Sequence, residues 1–290
     1  MPPPPLKRII KRGYFFFNNL LFYWYRKKIN NPTHPKSPLN PWAFIRVCNE
    51  KDTLEQSLNS IVGAISRGII VYNECDDGSD EIIKKFCAKH KGFIYAEYPY
   101  KVARVRHYEG ELKTKKSLGD YYNFALSFIP QNEWLIKIDT DQIYDAKKLK
   151  ESFNLIKHQN DIVFYFRINL HIFDQRIYLQ KDSPIFDPKD HWLICNQRLF
   201  FVDSIQWEKD NEVFYWESLC IPFVYRGFDA RLNTWHFPLL KSSRREGAKI
   251  QDFIPLKNYK EIISQEYLDK IDEDMLDEQR ILNFFDKKGL

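Results

Sequence analysis

Two aspartates stand one residue apart in the stretch "EWLIKIDTDQIYDAKKL", residues 133–149. Asp139 and Asp141 close the apolar run Trp134–Ile138 and precede a helical pattern. On an extended segment, side chains at i and i+2 leave the backbone on the same side. A carboxylate pair placed that way suits a hard divalent cation with oxygen ligands. It also suits a strand that simply ends in a polar turn. Three earlier apolar runs finish in the same manner. "AFIRVCNE" ends on Arg46, Asn49 and Glu50, "GIIVYNEC" leads into Asp76 and Asp77, and "GFIYAEYPY" closes on Tyr98–Tyr100.

The elements that must position these groups alternate between strand and helix from residue 42 onward. "KDTLEQSLNSIVGAIS" carries Leu54, Leu58, Ile61, Val62 and Ile65 at helical spacing, with Asp52 and Glu55 spaced as a capping box. "DDGS" turns into a second helix, where Ser79 can cap and Asp80 and Glu81 suit the positive end of the dipole. "SLGDYYNFALSFI" reads as a third helix before the strand "EWLIKID". This rhythm predicts a mostly parallel sheet with helices on both faces. Ligands bind such sheets outside the carboxyl ends of the strands, where the charged groups collect. There is neither a GxGxxG turn nor a P-loop. After residue 158 alternation replaces crossovers. "DIVFYFRINLHIF" and "QRIYLQ" read as a hairpin or meander, and "HWLICNQRLFFVD" and "VFYWESLCIPFVYR" as further strands. From residue 256 the pattern is amphipathic and helical, with Ile262, Ile263, Tyr267, Leu268 and Ile271 on one side.

Composition narrows the class. The chain has 290 residues and a formal charge of +5, but seven Lys/Arg and no acid lie within residues 1–31, leaving 37 basic against 39 acidic residues for the body. A near-neutral body argues against nucleic-acid binding, which needs a basic face on the domain. The five cysteines, at 48, 75, 87, 195 and 220, are widely spaced without CxxC and read as buried hydrophobes. In "LKRIIKRGYFFFNNLLFYWYRKK" the apolar centre, Tyr14–Tyr25, is too short to span a bilayer. Arg26, Lys27 and Lys28 stand where a signal peptide would have small residues. The segment suits the interface of an anionic membrane, rings at headgroup depth and cations on phosphates. The expected organisation is a basic aromatic membrane-interface segment (1–31), a Pro-rich linker (32–41) and a strand–helix half (42–158). A strand-rich half with a closing loop (159–250) and C-terminal helices (251–290) follow.

"SPLNPWAFIRVCNE", "RGIIVYNECDDGSDEII" and "WLIKIDTDQIYDAKKL" strongly resemble the bacterial β-1,4-N-acetylgalactosaminyltransferase family of lipooligosaccharide outer-core synthesis. The resemblance is tight over residues 37–150. It implies a GT-A fold of the family-2-like kind, a nucleotide-binding sheet plus a mixed β region on the acceptor side. By that resemblance the half at 42–158 binds the nucleotide-sugar and the half at 159–250 the acceptor. It also implies a UDP-sugar donor, Mn²⁺ or Mg²⁺, a lipid-linked saccharide acceptor, and work on the cytoplasmic face of the inner membrane. By resemblance Asp141 is the direct metal ligand and Asp139 lies nearer the ribose, within a metal set of Asp139, Asp141 and His236. The "DDGS" register puts the uracil N3–H on Asp77. Arg46 would bracket the base or a phosphate, and Asn123, on the helix before "DTD", would face the nucleotide. Lys241, Arg244 and Arg245 would close over the diphosphate. An inverting transfer needs a carboxylate base. Among Asp203, Glu208, Asp210 and Glu217, the apolar setting of "FYWESL" favours Glu217. Two rivals share some of these features: a sugar nucleotidyltransferase, and a non-catalytic membrane- or glycan-binding paralogue. The first strand-to-helix turn, "RVCNEKDT", lacks the glycines of the former, and the retained "DTD" speaks against the latter.

Overall fold

The computed structural model describes residues 28–103, 114–209, 212–240 and 250–286. Most of the basic aromatic segment (residues 1–27) lies outside these residues, as do Lys241, Arg244, Arg245 and Asp210.

The first, second and fourth apolar runs are covered on both faces and become parallel strands, and the third joins them as a partly exposed edge. β1 (Trp42–Val47), β2 (Arg67–Tyr72), β3 (Phe93–Glu97) and β4 (Trp134–Ile138) alternate with α1 (Lys51–Ile61), α2 (Ser79–Lys89) and α3 (Leu118–Leu126). β5 (Gln142–Tyr144) follows β4 directly, and α4 (Ala146–Ser152) follows β5. The later strands are β6 (Asp161–Phe164), β7 (Arg167–Phe173), β8 (Arg176–Gln180), β9 (Ile185–Phe186), β10 (Trp192–Cys195), β11 (Phe200–Lys209), β12 (Glu212–Cys220), β13 (Arg226–Asp229), β14 (Thr234–His236) and β15 (Phe253–Pro255). α5 (Gln265–Leu268) and α6 (Glu278–Asp286) end the chain among short 3-10 turns.

A seven-stranded sheet runs β13-β6-β10-β4-β1-β2-β3. Within it β10 alone is antiparallel to its neighbours. The fold is thus α/β with a mixed sheet. β6, β10 and β13 come from the 159–250 stretch, so the expected boundary at 158 divides the chain but not the sheet. A second sheet, β15-β8-β7-β14-β5, carries β9 against β7, and β11 and β12 form a separate hairpin. The run "DIVFYFRINLHIF" is divided between sheets, β6 joining the first and β7 the second.

Three apolar clusters hold these layers. Leu54, Leu58, Ile83, Ile136 and Ile138 pack under α1 and α2. Phe44, Tyr121, Tyr122, Leu135 and Phe201 fill the opposite face under α3 and the hairpin. Ile143, Leu170, Trp235, Met275 and Ile281 join the second sheet to the C-terminal turns. The alternation along β4 therefore sends Ile136 and Ile138 to one side and Lys137 and Asp139 to the other.

The Asp52–Glu55 capping box does not form. α1 starts at Lys51, placing Asp52 inside the first turn, and Glu50 at the N-cap makes no side-chain cap. The cap arrives from another loop, as Asp77 Oδ2 accepts the Lys51 N–H at 2.9 Å. Ser79 is likewise the first helical residue of α2 and not its cap. Gly78 before it holds φ +91°, a left-handed conformation that favours glycine.

Candidate active site

The link between β4 and β5 carries the two aspartates. Asp139, Thr140 and Asp141 join a strand of the first sheet to a strand of the second, and residues 140 and 141 form a turn. The expectation that both carboxylates leave an extended backbone on one side fails for that reason. Each aspartate serves a different cluster.

Asp141 meets His236. β14 pairs antiparallel with β5, setting His236 opposite Gln142, and the Phe237 N–H donates to the Asp141 carbonyl at 3.3 Å. This register brings residues 95 positions apart to 3.3 Å between His236 Nε2 and Asp141 Oδ2. β14 also pairs with β7, His236 beside Asn169, and His236 Nδ1 lies 2.6 Å from Asn169 Oδ1. The Asn169 amide is oriented because its Nδ2 donates to the Ser183 carbonyl at 2.7 Å. His236 Nδ1 therefore donates to Asn169 Oδ1, and Nε2 is the ring nitrogen that faces the carboxylate. An oxygen and a nitrogen donor facing each other, with the ring fixed from behind by an amide, fit Mn²⁺ or Mg²⁺.

Asp139 meets His191, at the head of β10. His191 Nε2 is 2.8 Å from Asp139 Oδ2, and Nδ1 is 2.6 Å from Asp190 Oδ1. Gln142 Nε2 lies 3.0 Å from the first nitrogen and 3.4 Å from Asp139 Oδ2. Arg167 Nη1 lies 2.8 Å from the second and 3.7 Å from Asp190 Oδ1. Only a doubly protonated ring donates to both carboxylates. Burial alone would lower the pKa of His191, but Asp139 and Asp190 outweigh it and raise it. Burial likewise opposes ionisation of Asp139, and the His191 and Lys137 charges nevertheless hold its carboxyl well below the usual range. The backbone is braced too, as Ser57 Oγ donates to the Asp139 carbonyl at 3.2 Å and the Asp139 N–H points to Tyr144 Oη at 3.2 Å.

Lys137, two residues before Asp139 on the same face, binds this cluster to the hairpin. Its Nζ is 3.5 Å from Asp190 Oδ2 and 3.9 Å from Glu217 Oε1, and it lies 5.7 Å from the Tyr122 ring centroid. Burial works against its charge, but Tyr122, Asp139, Asp190 and Glu217 raise its pKa above the ordinary value. Glu217 is therefore not in the apolar pocket that "FYWESL" suggests. Its partners are Lys137 and the field of Arg46, because strand alternation sends Trp216 outward and Glu217 inward. Arg46 sits over the Tyr122 and Tyr121 rings at 5.0 and 5.5 Å, with Nε buried and unpartnered.

Three expected residues prove to have structural partners. Asp77 spends both oxygens on helix starts: Oδ1 accepts the Ser79 N–H and Oδ2 the Lys51 N–H, each at 2.9 Å. Burial opposes its ionisation, but these bonds hold its pKa below the ordinary value. Asn123 spends both ends of its amide on Phe201 of β11, accepting from the N–H at 2.8 Å and donating to the carbonyl at 2.9 Å. It ties α3 to the hairpin, and that corrects the expectation of a nucleotide-facing residue. Asp203, one of the base candidates, accepts the Gly119 N–H at 2.9 Å.

The set of three metal ligands is also corrected. Among the described residues no three His, Cys, Asp or Glu side chains stand together as a metal cluster, and Asp139 turns to His191 while Asp141 turns to His236. His191, Lys137, Asp190 and Arg167 escaped the sequence reading. The one available signal was the pair Asp190-His191 immediately before the apolar strand "WLIC".

The model of the β-1,4-N-acetylgalactosaminyltransferase (CgtA) family matches residues 11–288. No curated protein matches the chain. Similar solved structures include the mannosyltransferase PcManGT from Pyrobaculum calidifontis in complex with GDP-Man and Mn²⁺. It is 14% identical, with a TM-score of 0.33, over 52% of this chain and 41% of that one. Another is glucosyl-3-phosphoglycerate synthase from Mycobacterium tuberculosis in complex with Mn²⁺, UDP and phosphoglyceric acid. It is 14% identical, TM-score 0.33, over 50% of this chain and 49% of that one. A glucose-1-phosphate thymidylyltransferase from Bacillus anthracis in complex with a sucrose is 13% identical, TM-score 0.28, over 53% and 71%. The match spans half or less of the first two proteins, and at these scores none of the likenesses assigns a function.

Proposed function

The chain belongs to the β-1,4-N-acetylgalactosaminyltransferase (CgtA) family, and on that premise we propose that it is a metal-dependent, inverting glycosyltransferase of the GT-A fold. It would move a hexose or N-acetylhexosamine, GalNAc favoured, from a UDP-sugar to a lipooligosaccharide or another lipid-linked saccharide. The observation that carries this reading is the Asp141–His236 pair, drawn together by the β5–β14 ladder at the carboxyl end of β4.

Asp141 and His236 would hold the divalent ion. When bound, such an ion supplies positive charge against the diphosphate as the glycosidic bond breaks. Asp139, anchored by His191, is the carboxylate placed for the ribose. Glu217 stands at Lys137 in the same cluster and is the residue proposed to take the proton of the acceptor hydroxyl. Arg46 contributes a fixed positive charge behind the donor site. Arg244, outside the described residues, is proposed to close over the diphosphate, and Asp77 to reach the base with lone pairs left over from its two caps.

Among the described residues no helix is long and apolar enough to cross a membrane. The basic aromatic segment before residue 31 is proposed to bring the enzyme to an anionic surface, the cytoplasmic face of the inner membrane, where a lipid-linked acceptor would be concentrated.

The test is UDP release from a panel of UDP-sugars with a lipid-linked saccharide extract, with Mn²⁺ present or chelated, beside Asp141→Ala. Release that requires both metal and Asp141 supports the proposal and names the donor. Failure to bind or turn over any UDP-sugar rejects it.

A further inference from the structure

His191 enters the transfer set out above only through Asp139, and both of its ring nitrogens are held. It reaches the strand-end cleft because β10 is antiparallel to β4 and β6, so β10 delivers its first residues where the parallel strands deliver their last. The buried ring spans two carboxylates, Asp139 Oδ2 at 2.8 Å and Asp190 Oδ1 at 2.6 Å. Arg167 and Gln142 crowd its two nitrogens from the side. On Asp139, whose side chain is 34% exposed, both described carboxylate contacts fall on Oδ2. Oδ1 is the oxygen left to a ligand.

We propose that His191 is a positioning residue that pins one oxygen of Asp139, so that the other is presented in a fixed direction to the donor's ribose, with Asp190 holding the far side of the ring. A free carboxylate at the end of a strand samples several χ1 and χ2 rotamers, and donor binding must then select one of them. The His191 bridge meets that cost during folding. Asp190 is the outer end of the bridge, its side chain 42% exposed and held as well by Lys137 at 3.5 Å. The inference rests on the UDP-sugar reading of the site and adds to it a residue on which donor affinity depends.

The experiment is a binding cycle with UDP and uridine, measured by calorimetry in chelator, so that metal occupancy does not enter. The chains are wild type, His191→Gln, His191→Phe, Asp139→Asn, His191→Gln with Asp139→Asn, and Asp190→Asn. Donor KM and kcat are recorded in parallel with Mn²⁺, and thermal unfolding reports whether each variant is folded. Outer partners of a functional ligand typically cost about 10- to 100-fold when removed. UDP and uridine affinity are expected to fall by about that factor in His191→Phe and by less in His191→Gln, which keeps a donor toward Asp139. The same factor should appear in donor KM with kcat much less changed. In the double variant the losses should not add, because Asp139→Asn already removes the carboxylate being aimed. A merely structural histidine would shift the unfolding temperature without this pattern. Asp190→Asn alters a half-exposed side chain, so its binding result stands even if His191→Phe does not fold. Wild-type affinity in both His191→Gln and Asp190→Asn, or additive losses in the double variant, overturns the proposal while the donor reading survives. If wild type binds no UDP even with Mn²⁺ present, the donor reading fails and this proposal fails with it.

Discussion

Asp77→Ala is the substitution whose outcome separates two accounts of one carboxylate. The resemblance assigns Asp77 to the uracil, whereas the structure shows it accepting the first N–H of α1 and the first N–H of α2. Removing a capping acceptor costs about 1 kcal/mol, so losing both caps should cost roughly 2 kcal/mol. For a chain of this size each kcal/mol lowers Tm by about 2 °C, and a fall of roughly 4 °C is expected. Asp77→Asn keeps one acceptor and should fall about half as far. The carboxyl is held below its ordinary value in the folded protein. Its stabilisation is therefore complete above the unfolded pKa near 3.9 and is lost as pH falls through the folded value. The gap between wild type and variant should narrow below about pH 4. The assay is calorimetric unfolding at several pH values, with and without saturating UDP. If Asp77 also reaches the base as proposed, the UDP-induced rise in Tm shrinks in the variant as well. An unchanged Tm would refute the capping account, and an undiminished UDP shift would remove Asp77 from the base.

Four further outcomes follow from named contacts. Asn169→Leu removes the acceptor that orients His236 and should weaken Mn²⁺ binding by about 10- to 100-fold in a metal titration; an unchanged titration would remove His236 from the metal. Asn123→Leu strands the N–H and carbonyl of Phe201 and should cost roughly 2 kcal/mol in urea unfolding with donor KM unchanged, whereas a raised KM at full stability would restore its nucleotide role. Glu217→Gln should lower kcat about 100-fold or more with little change in UDP affinity, and full turnover would pass the role of base to another carboxylate. The Asp272 carboxyl is held below its ordinary range by its bonds to Lys148 and Arg231. The stability it contributes is present above the unfolded pKa and lost as pH falls through the folded one. Asp272→Asn should accordingly show a shallower acid slope in unfolding experiments, and an unaltered slope would show that the pair contributes nothing.

The nucleotide half was legible because its signals are local. Apolar runs of five or six residues between helical periods gave β1 to β4 and the order of their ends, and the position of "DTD" after β4 needed nothing else. What was not legible arrived across the chain. The cap of α1 comes from Asp77, 26 residues away, so the local Asp52–Glu55 spacing pointed to a box that the fold does not use. Asn123 looks like a free polar residue on a helix until β11 is known to run alongside it. "DIVFYFRINLHIF" reads as one element, and only the sheet topology shows that it leaves one sheet and enters another. The reach of His191 depends on the direction of β10, which alternation of residue types does not encode. Glu217 was misread in its surroundings for a related reason, since its charged neighbours, Lys137 on β4 and Arg46 on β1, come from across the chain.

The turn at 139–141 is where the two sheets meet, and this shapes what the site can do. Asp139 is fixed by the first sheet, through His191 at the head of β10 and Ser57 on α1. Asp141 is fixed by the second, through His236 on β14. The second sheet is held in turn by the C-terminal turns: the Trp235 indole donates to the Met275 carbonyl at 2.8 Å, and Arg280 on α6 pairs with the buried Asp145 just past β5. A ligand that engages both aspartates must bridge the two sheets, and so it binds only when the C-terminal segment is docked. Under the proposed roles the ion and diphosphate lie at Asp141 and His236 and the ribose at Asp139. Uridine should then report on the first sheet's half of the site, with Asp139 and His191. The additional affinity of UDP with metal over uridine measures how well the C-terminal segment holds Asp141 and His236 in place. Because Arg280 touches neither aspartate, Arg280→Met should reduce that additional affinity and leave uridine binding unchanged; equal losses for both ligands would mean that the two sheets do not act as separate halves of the site.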